Sequence, residues 1–198
     1  MRGTPLFVVL FALAGCKKPA APPPPPPEPE APPAAPAGPP GPDLRGLNWE
    51  VDNFDGTLRI QQRARAKDDC ELQCIENATH AARWTVKGCR ATTLDLRFVS
   101  PDCTRLMVVY TLPSASAFRY AVLATVWTEE GKAWEVKGGA LPIDTQRTIA
   151  AGTSFRWLKG VLDAPGERPR YSADGTAVEV ESLDGKTHTL PFVPARGR

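Results

Sequence analysis

The sequence predicts a mostly β domain of antiparallel sheets, built from about three similar units. Three observations carry this expectation. Apolar and charged residues alternate with period two along several short segments, Gly-containing acidic pairs separate those segments, and two longer runs are apolar throughout. Alternation places one row of side chains on each face of a strand. Glycine accepts the positive φ that tight hairpin turns demand.

Leu58 and Ile60 alternate with Arg59 and Gln61, and Leu94, Leu96 and Phe98 alternate with Asp95 and Arg97. Trp134 and Val136 alternate with Glu135 and Lys137, and Val178 and Val180 with Glu179 and Glu181. The runs Leu106 to Tyr110 and Tyr120 to Trp127 are apolar throughout and read as central strands covered on both faces. Asp55-Gly56, Glu130-Gly131, Asp174-Gly175 and Asp184-Gly185 mark the turns. Leu72, Ile75, Thr79 and Ala82 have near-helical spacing behind a possible cap at Asp69, so a helix is the alternative to the strand preferred there. Ser154 reads as the cap of a short helical turn, or as loop, through Phe155, Trp157 and Leu158.

Internal similarity supports the repeated units. Ser100-Pro101-Asp102-Cys103-Thr104 precedes Leu106 and Val108, and Ser172-Ala173-Asp174-Gly175-Thr176 precedes Val178 and Val180. Asp55-Gly56-Thr57 before Leu58 and Ile60 is a weaker third copy. Trp84-Thr85-Val86-Lys87-Gly88 returns as Trp134-Glu135-Val136-Lys137-Gly138. The units span roughly 47–92, 94–140 and 155–194. The Ser-Pro-Asp-Cys and Ser-Ala-Asp-Gly turns resemble the Ser-Pro-Asp-Gly turn of bacterial β-propeller repeats. That resemblance implies blade-like sheets in an incomplete propeller-like arrangement, because three units are fewer than a closed propeller uses. A β-sandwich or irregular barrel is the alternative.

Ahead of this domain, expected over 44–198, lie two segments of other character. Arg2 and the apolar run Leu6 to Ala14 have the length of a secretory signal, far short of the roughly 20 residues of a membrane-spanning helix. Leu13-Ala14-Gly15-Cys16 resembles the lipobox of bacterial lipoproteins. The resemblance implies removal of a signal peptide at 1–15, lipid on Cys16 and anchoring in the membrane. Lys17 in place of an Asp after the cysteine implies the outer membrane. Most of the chain's 22 prolines fall within 17–43, including the run Pro22 to Pro27. Such a stretch cannot bury a core and is expected to be a disordered, polyproline II-like tether reaching up to roughly 80 Å.

The order of Cys-x3-Cys, a Trp strand, a third cysteine, Phe98-Val99-Ser100-Pro101-Asp102-Cys103 and a late Pro169-Arg170-Tyr171-Ser172-Ala173-Asp174-Gly175 also resembles uncharacterised lipoproteins of myxobacteria-like genomes. That resemblance implies no activity and transfers no site.

The four cysteines beyond Cys16 suit an exported domain with two disulfides. Their spacing is not the paired CxxC of structural zinc. If 71–76 and 82–88 form a hairpin, Cys70 and Cys89 flank its open end and Cys74 is left for Cys103. An extended Cys70–Cys74 segment would hold those two about 13 Å apart, beyond the ~4.4–6.8 Å that a disulfide spans. A helix there would instead permit Cys70–Cys74 with Cys89–Cys103.

No catalytic set emerges. His80 sits in a polar turn and His188 at an expected exposed strand position, and there is no Gly-x-Ser-x-Gly or His-Glu-x-x-His. Asp68-Asp69 and Glu129-Glu130 read as solvated turn charges. Trp49, Trp84, Trp127, Trp134 and Trp157 read as core rather than as a carbohydrate platform. A net charge of +2 with interspersed signs gives no nucleic-acid footprint. No cofactor or metal is expected, and nothing in the sequence sets the oligomeric state. The expected function is a lipid-anchored module that binds another envelope component, a protein or glycan. The alternative is an envelope hydrolase whose carboxylates converge only in the fold.

Overall fold

The computed structural model describes residues 44–194. The expected signal peptide at 1–15, Cys16 and the expected tether at 17–43 lie outside the described residues.

Three antiparallel meanders follow one another along the chain. The first holds β1 (Trp49–Asp52), β2 (Leu58–Ala66), β3 (Asp69–Glu76) and β4 (Ala82–Lys87) in that order. The second holds β5 (Leu96–Val99), β6 (Leu106–Val109), β7 (Val122–Thr128) and β8 (Gly131–Lys137) in that order. A small hairpin follows, β9 (Ile149–Ala151) with β10 (Ser154–Arg156). The third meander is β11 (Arg170–Tyr171), β12 (Ala177–Glu181) and β13 (Thr187–Pro191). Residues 157–159 extend its first edge: the Lys159 N–H donates to Glu181 O at 2.9 Å and the Leu183 N–H to Trp157 O at 2.9 Å. The loop 160–169 therefore interrupts what would otherwise be one leading strand.

The sheets stack face to face with the second in the middle. Leu106 and Val108 of β6 face a core shared with Leu58, Ile60, Leu72 and Cys74 of the first sheet. Their neighbours Met107 and Val109 face the opposite core, shared with Val178, Val180 and Leu190 of the third. A strand covered on both faces has no polar side, which is why β6 and much of β7 are apolar throughout. The two outer sheets alternate because only one face of each is covered. Their free faces carry ion pairs instead: Arg59 with Glu50 and Asp52, Lys159 with Glu181, and Arg170 with Glu179. Packing another sheet on either face would desolvate those charges, so the stack stops at three layers and does not close.

The three turns after β1, β5 and β11 share one backbone hydrogen-bond pattern. The N–H groups of Leu58, Arg105 and Ala177 donate to the side-chain oxygen of Asn53, Ser100 and Ser172. The N–H groups of Thr57, Thr104 and Thr176 donate to Asp55, Asp102 and Asp174. The fourth position has φ of +72°, +60° and +71° in Gly56, Cys103 and Gly175. Only Cys103 departs from glycine there, and it does so because its sulfur is bonded to Cys74. The first strands of all three sheets meet beside these turns. Tyr171 Oη donates to Asp52 O at 3.1 Å and accepts from the Val99 N–H at 2.9 Å. Asn53 and Val99 form a parallel bridge.

Cys70 and Cys89 close the open end of the β3–β4 hairpin, with Cα atoms 4.8 Å apart. Cys74 and Cys103, both fully buried, tie the first sheet to the β5–β6 turn of the second across 6.4 Å. The two bridges therefore act at different levels, one within a hairpin and one between layers.

Several sequence expectations are corrected. Residues 154–156 form a strand, because Gly152 at φ +65° turns the chain back and pairs Ser154 with Ala151. Leu94 is not in β5. Asp95 instead accepts from the Thr92 N–H and hydroxyl, folding 92–95 into a turn that leaves Leu94 69% exposed. His188 is not exposed. It shares strand parity with Leu190 and faces the core at 6% exposure.

Candidate functional site

His188 brings together the described groups that most resemble a catalytic set. Ser182 Oγ lies 2.7 Å from His188 Nε2 and 2.5 Å from Asp184 Oδ1. A hydroxyl has one proton to give. With the carboxylate accepting it, His188 Nε2 must carry a hydrogen and donate to Ser182. The order is then histidine to serine to aspartate, the reverse of a hydroxyl activated by a histidine base. Ser182 is also fully buried, so no substrate carbonyl reaches it. The three residues fasten the β12–β13 turn: Asp184 further accepts from the Asp144 N–H at 2.9 Å and the Lys186 N–H at 3.3 Å.

These groups make stability depend on pH. Burial pushes the His188 pKa below the ordinary histidine value, partly opposed by Asp184. Burial alone would raise the Asp184 pKa, but the Asp144 N–H, the Ser182 hydroxyl and Lys186 outweigh it and hold the carboxyl well below the usual range. Both folded pKa values are depressed, so the unfolded chain binds more protons on acidification. The His188 contribution is fully present above about pH 6.5 and is lost as pH falls toward its folded pKa; that of Asp184 follows below about pH 4. Thermal melts should show a lower Tm at pH 5.5 than at pH 7.5, and His188→Gln should remove most of that difference. An equal pH response in the variant would contradict the assignment to His188.

The remaining sequence candidates do not converge. His80, at φ +58°, is exposed in the β3–β4 turn, Asp68, Glu129 and Glu130 are exposed in turns, and Asp69 is exposed at the start of β3. Trp49 and Trp157 are buried. Four of the five indoles are tied to backbone carbonyls: Trp49 to Ala91, Trp84 to Cys103, Trp134 to Phe192 and Trp157 to Tyr110. They pin layers and loops together and form no exposed platform. Among the described residues, no group of three or more His, Cys, Asp or Glu is placed to hold a metal ion.

A cleft of about 400 Å³ lies between the second sheet and the 160–169 loop that leads into the third. It lies at the end of the β5–β6 hairpin opposite the 100–104 turn. Leu94 and Leu96 form one wall, and Val161, Leu162 and Pro169 of the 160–169 loop form the other. Each wall is fixed by local hydrogen bonds. On the first, Asp95 holds Thr92, Arg97 Nη1 donates to Thr92 O at 2.7 Å and Thr111 Oγ1 donates to Leu94 O at 3.1 Å. On the second, the Gly160 N–H donates to Ala164 O at 2.8 Å and the Arg156 guanidinium donates to Leu162 O. The loop closes so tightly that a Cβ on Gly160 would sit 2.3 Å from Glu167 O, so glycine is required at the neck. Leu162 and Asp163 both take positive φ, +49° and +63°, a conformation that costs non-glycine residues of order 1–3 kcal/mol each.

The lining includes a single charged residue, Arg168, and two hydroxyls, Thr93 and Thr111. It contains no carboxylate, histidine or thiol, so it offers binding without an acid, base or nucleophile. Sequence reasoning missed this cleft. Leu94 reads as a strand residue by alternation, and nothing in residues 160–169 marks the wall they form. Set against models of known protein families and against curated proteins, the chain matches none.

Proposed function

We propose that the domain is a non-catalytic binding module, carried at the outer membrane by lipid on Cys16 and displayed on the proline-rich tether, which takes up another envelope component in the cleft between its second sheet and the 160–169 loop. The observation that carries this reading is the cleft itself. Its volume falls in the range of small-ligand sites, its walls are apolar with Leu94 and Leu162 exposed, and its lining holds no carboxylate, histidine or thiol. The hydrolase alternative rests on convergent carboxylates; the nearest approach to a catalytic set, at Ser182, His188 and Asp184, has the wrong proton order and no access.

Two experiments test the halves of the proposal. For the address, Cys16→Ser is expected to leave the chain unprocessed or free of the membrane fraction. A variant processed and retained like the parent would overturn the anchor. For the cleft, a photoreactive residue at Leu162 in intact envelopes is expected to form a discrete adduct, with its mass read on the adducted peptide. Labelling no stronger than that from an equally exposed position on the outer face of the first sheet would overturn the site.

A further inference from the structure

We infer that the cleft between the second sheet and the 160–169 loop recognises an apolar chain that ends in a single anionic oxygen group; this rests on the binding reading above and names the chemistry of what is bound. The wall of the cleft is apolar. Leu94, Leu96, Val161, Leu162 and Pro169 offer no hydrogen-bonding side chain, so a polar body such as a sugar would lose water contacts there without replacement. The shape also excludes a broad protein interface as the first choice. A stable protein contact buries about 1,000 Å² or more over a fairly flat patch, whereas this is a concave slot sized for a small molecule or one chain.

The anionic part comes from which polar groups of the lining are already committed. The Thr111 hydroxyl donates to Leu94 O. Arg168 makes no side-chain hydrogen bond or ion pair among the described residues, and neither does the Thr93 hydroxyl. The cations around the cleft differ from Arg168 in this. Arg97 is held on Thr92 O, Arg156 on Leu162 O, and Arg170 by Glu167 and Glu179. The nearby acids are likewise engaged, Asp95 on Thr92, Glu167 and Glu179 on Arg170, and Glu181 on Lys159. Asp163 is the exception, but it does not line the cleft. What remains uncommitted in the lining is one arginine, Arg168, which also borders Glu167, Glu179 and Glu181 on its other side, and one hydroxyl, that of Thr93. A guanidinium fits a carboxylate or phosphate through paired N–H donors, and the Thr93 hydroxyl is a further donor on the same lining. A carboxylate would come from a free fatty acid and a phosphate from a lipid headgroup; the cleft chemistry is common to both.

The full chain carrying Cys16→Ser, with both disulfides formed, is titrated calorimetrically with dodecanoate, dodecyl phosphate and dodecyltrimethylammonium below their micelle concentrations. One anion or both should bind one per chain and at least tenfold more tightly than the cation. The tighter anion identifies the source as fatty acid or phospholipid. Arg168→Glu should erase or reverse the preference while keeping the thermal midpoint, and Leu94→Asp should weaken every probe at least tenfold. Equal affinity for anion and cation, or an anion preference that survives Arg168→Glu, overturns the inference. If neither anion binds but the Leu162 adduct in envelopes persists, the ligand chemistry is wrong and the cleft reading stands. If binding and adduct are both missing, the cleft reading falls with it.

Discussion

Replacing Trp157 with alanine is expected to destabilise the domain by about 3–5 kcal/mol, the cost of removing a large buried aromatic side chain. Trp157 is fully buried among residues of the second and third sheets. Its indole donates to Tyr110 O at 2.8 Å, and its own carbonyl accepts from the Leu183 N–H. It is therefore both a filler of the core between two layers and the link that sets the split leading edge of the third sheet. Trp157→Phe keeps most of the apolar area but leaves the Tyr110 carbonyl without its partner, which should cost about 1–3 kcal/mol. Urea unfolding at pH 7.5 checks both. A shift in midpoint with little change in slope is expected, since a slope change would mean that the sheets no longer unfold together. An alanine variant within about 1 kcal/mol of the parent would show that the third sheet does not depend on this contact.

The second large effect is expected at the bridge between layers. Cys74→Ala with Cys103→Gly should lower stability by about 2–4 kcal/mol. Glycine at 103 suits the +60° φ there and offsets part of that loss, so the pair isolates the cross-link better than two alanines would. The bridges close loops of similar length, with sequence separations of 19 and 29, and chain entropy alone would make them nearly equal. They differ in access. Cys74 and Cys103 are both fully buried, whereas Cys89 is half-buried at the rim of a hairpin. Mild reduction of the folded protein should therefore open Cys70–Cys89 first. Alkylation and peptide mapping read the order, and prior labelling of Cys74 or Cys103 would contradict the layered packing.

Much of this architecture is legible in the sequence because strand parity is a local signal. Leu58, Ile60, Val178 and Val180 declare a covered face by alternating with charge, and the continuous runs at 106–110 and 120–127 declare a middle layer, except that Tyr120 lies in a 3₁₀ turn ahead of β7 and is exposed. The Asp-Gly-Thr turns declare where strands reverse, and Cys103 in place of glycine is explicable once its partner is known. The losses also have physical reasons. His188 looks solvent-facing among threonines and a lysine, yet counting back by two from Leu190 puts it inside. Its burial is tolerable only because Ser182 and Asp184 meet it there. Leu94 fits an alternating pattern with Leu96 and Phe98, but Asp95 captures the Thr92 amide and ends the strand early. The cleft depends on that turn and on the 160–169 loop, which begins 65 residues after Asp95, and no local pattern reports how two such segments meet.

The most direct measurement of the central claim compares the parent and Leu94→Asp, each carrying the photoreactive residue at Leu162, in intact envelopes. Because Leu94 is exposed, the aspartate should change stability by no more than about 0.5 kcal/mol. The account predicts an unchanged melting midpoint together with loss of the cleft adduct. An adduct of the same mass and yield in Leu94→Asp, at unchanged stability, would contradict it.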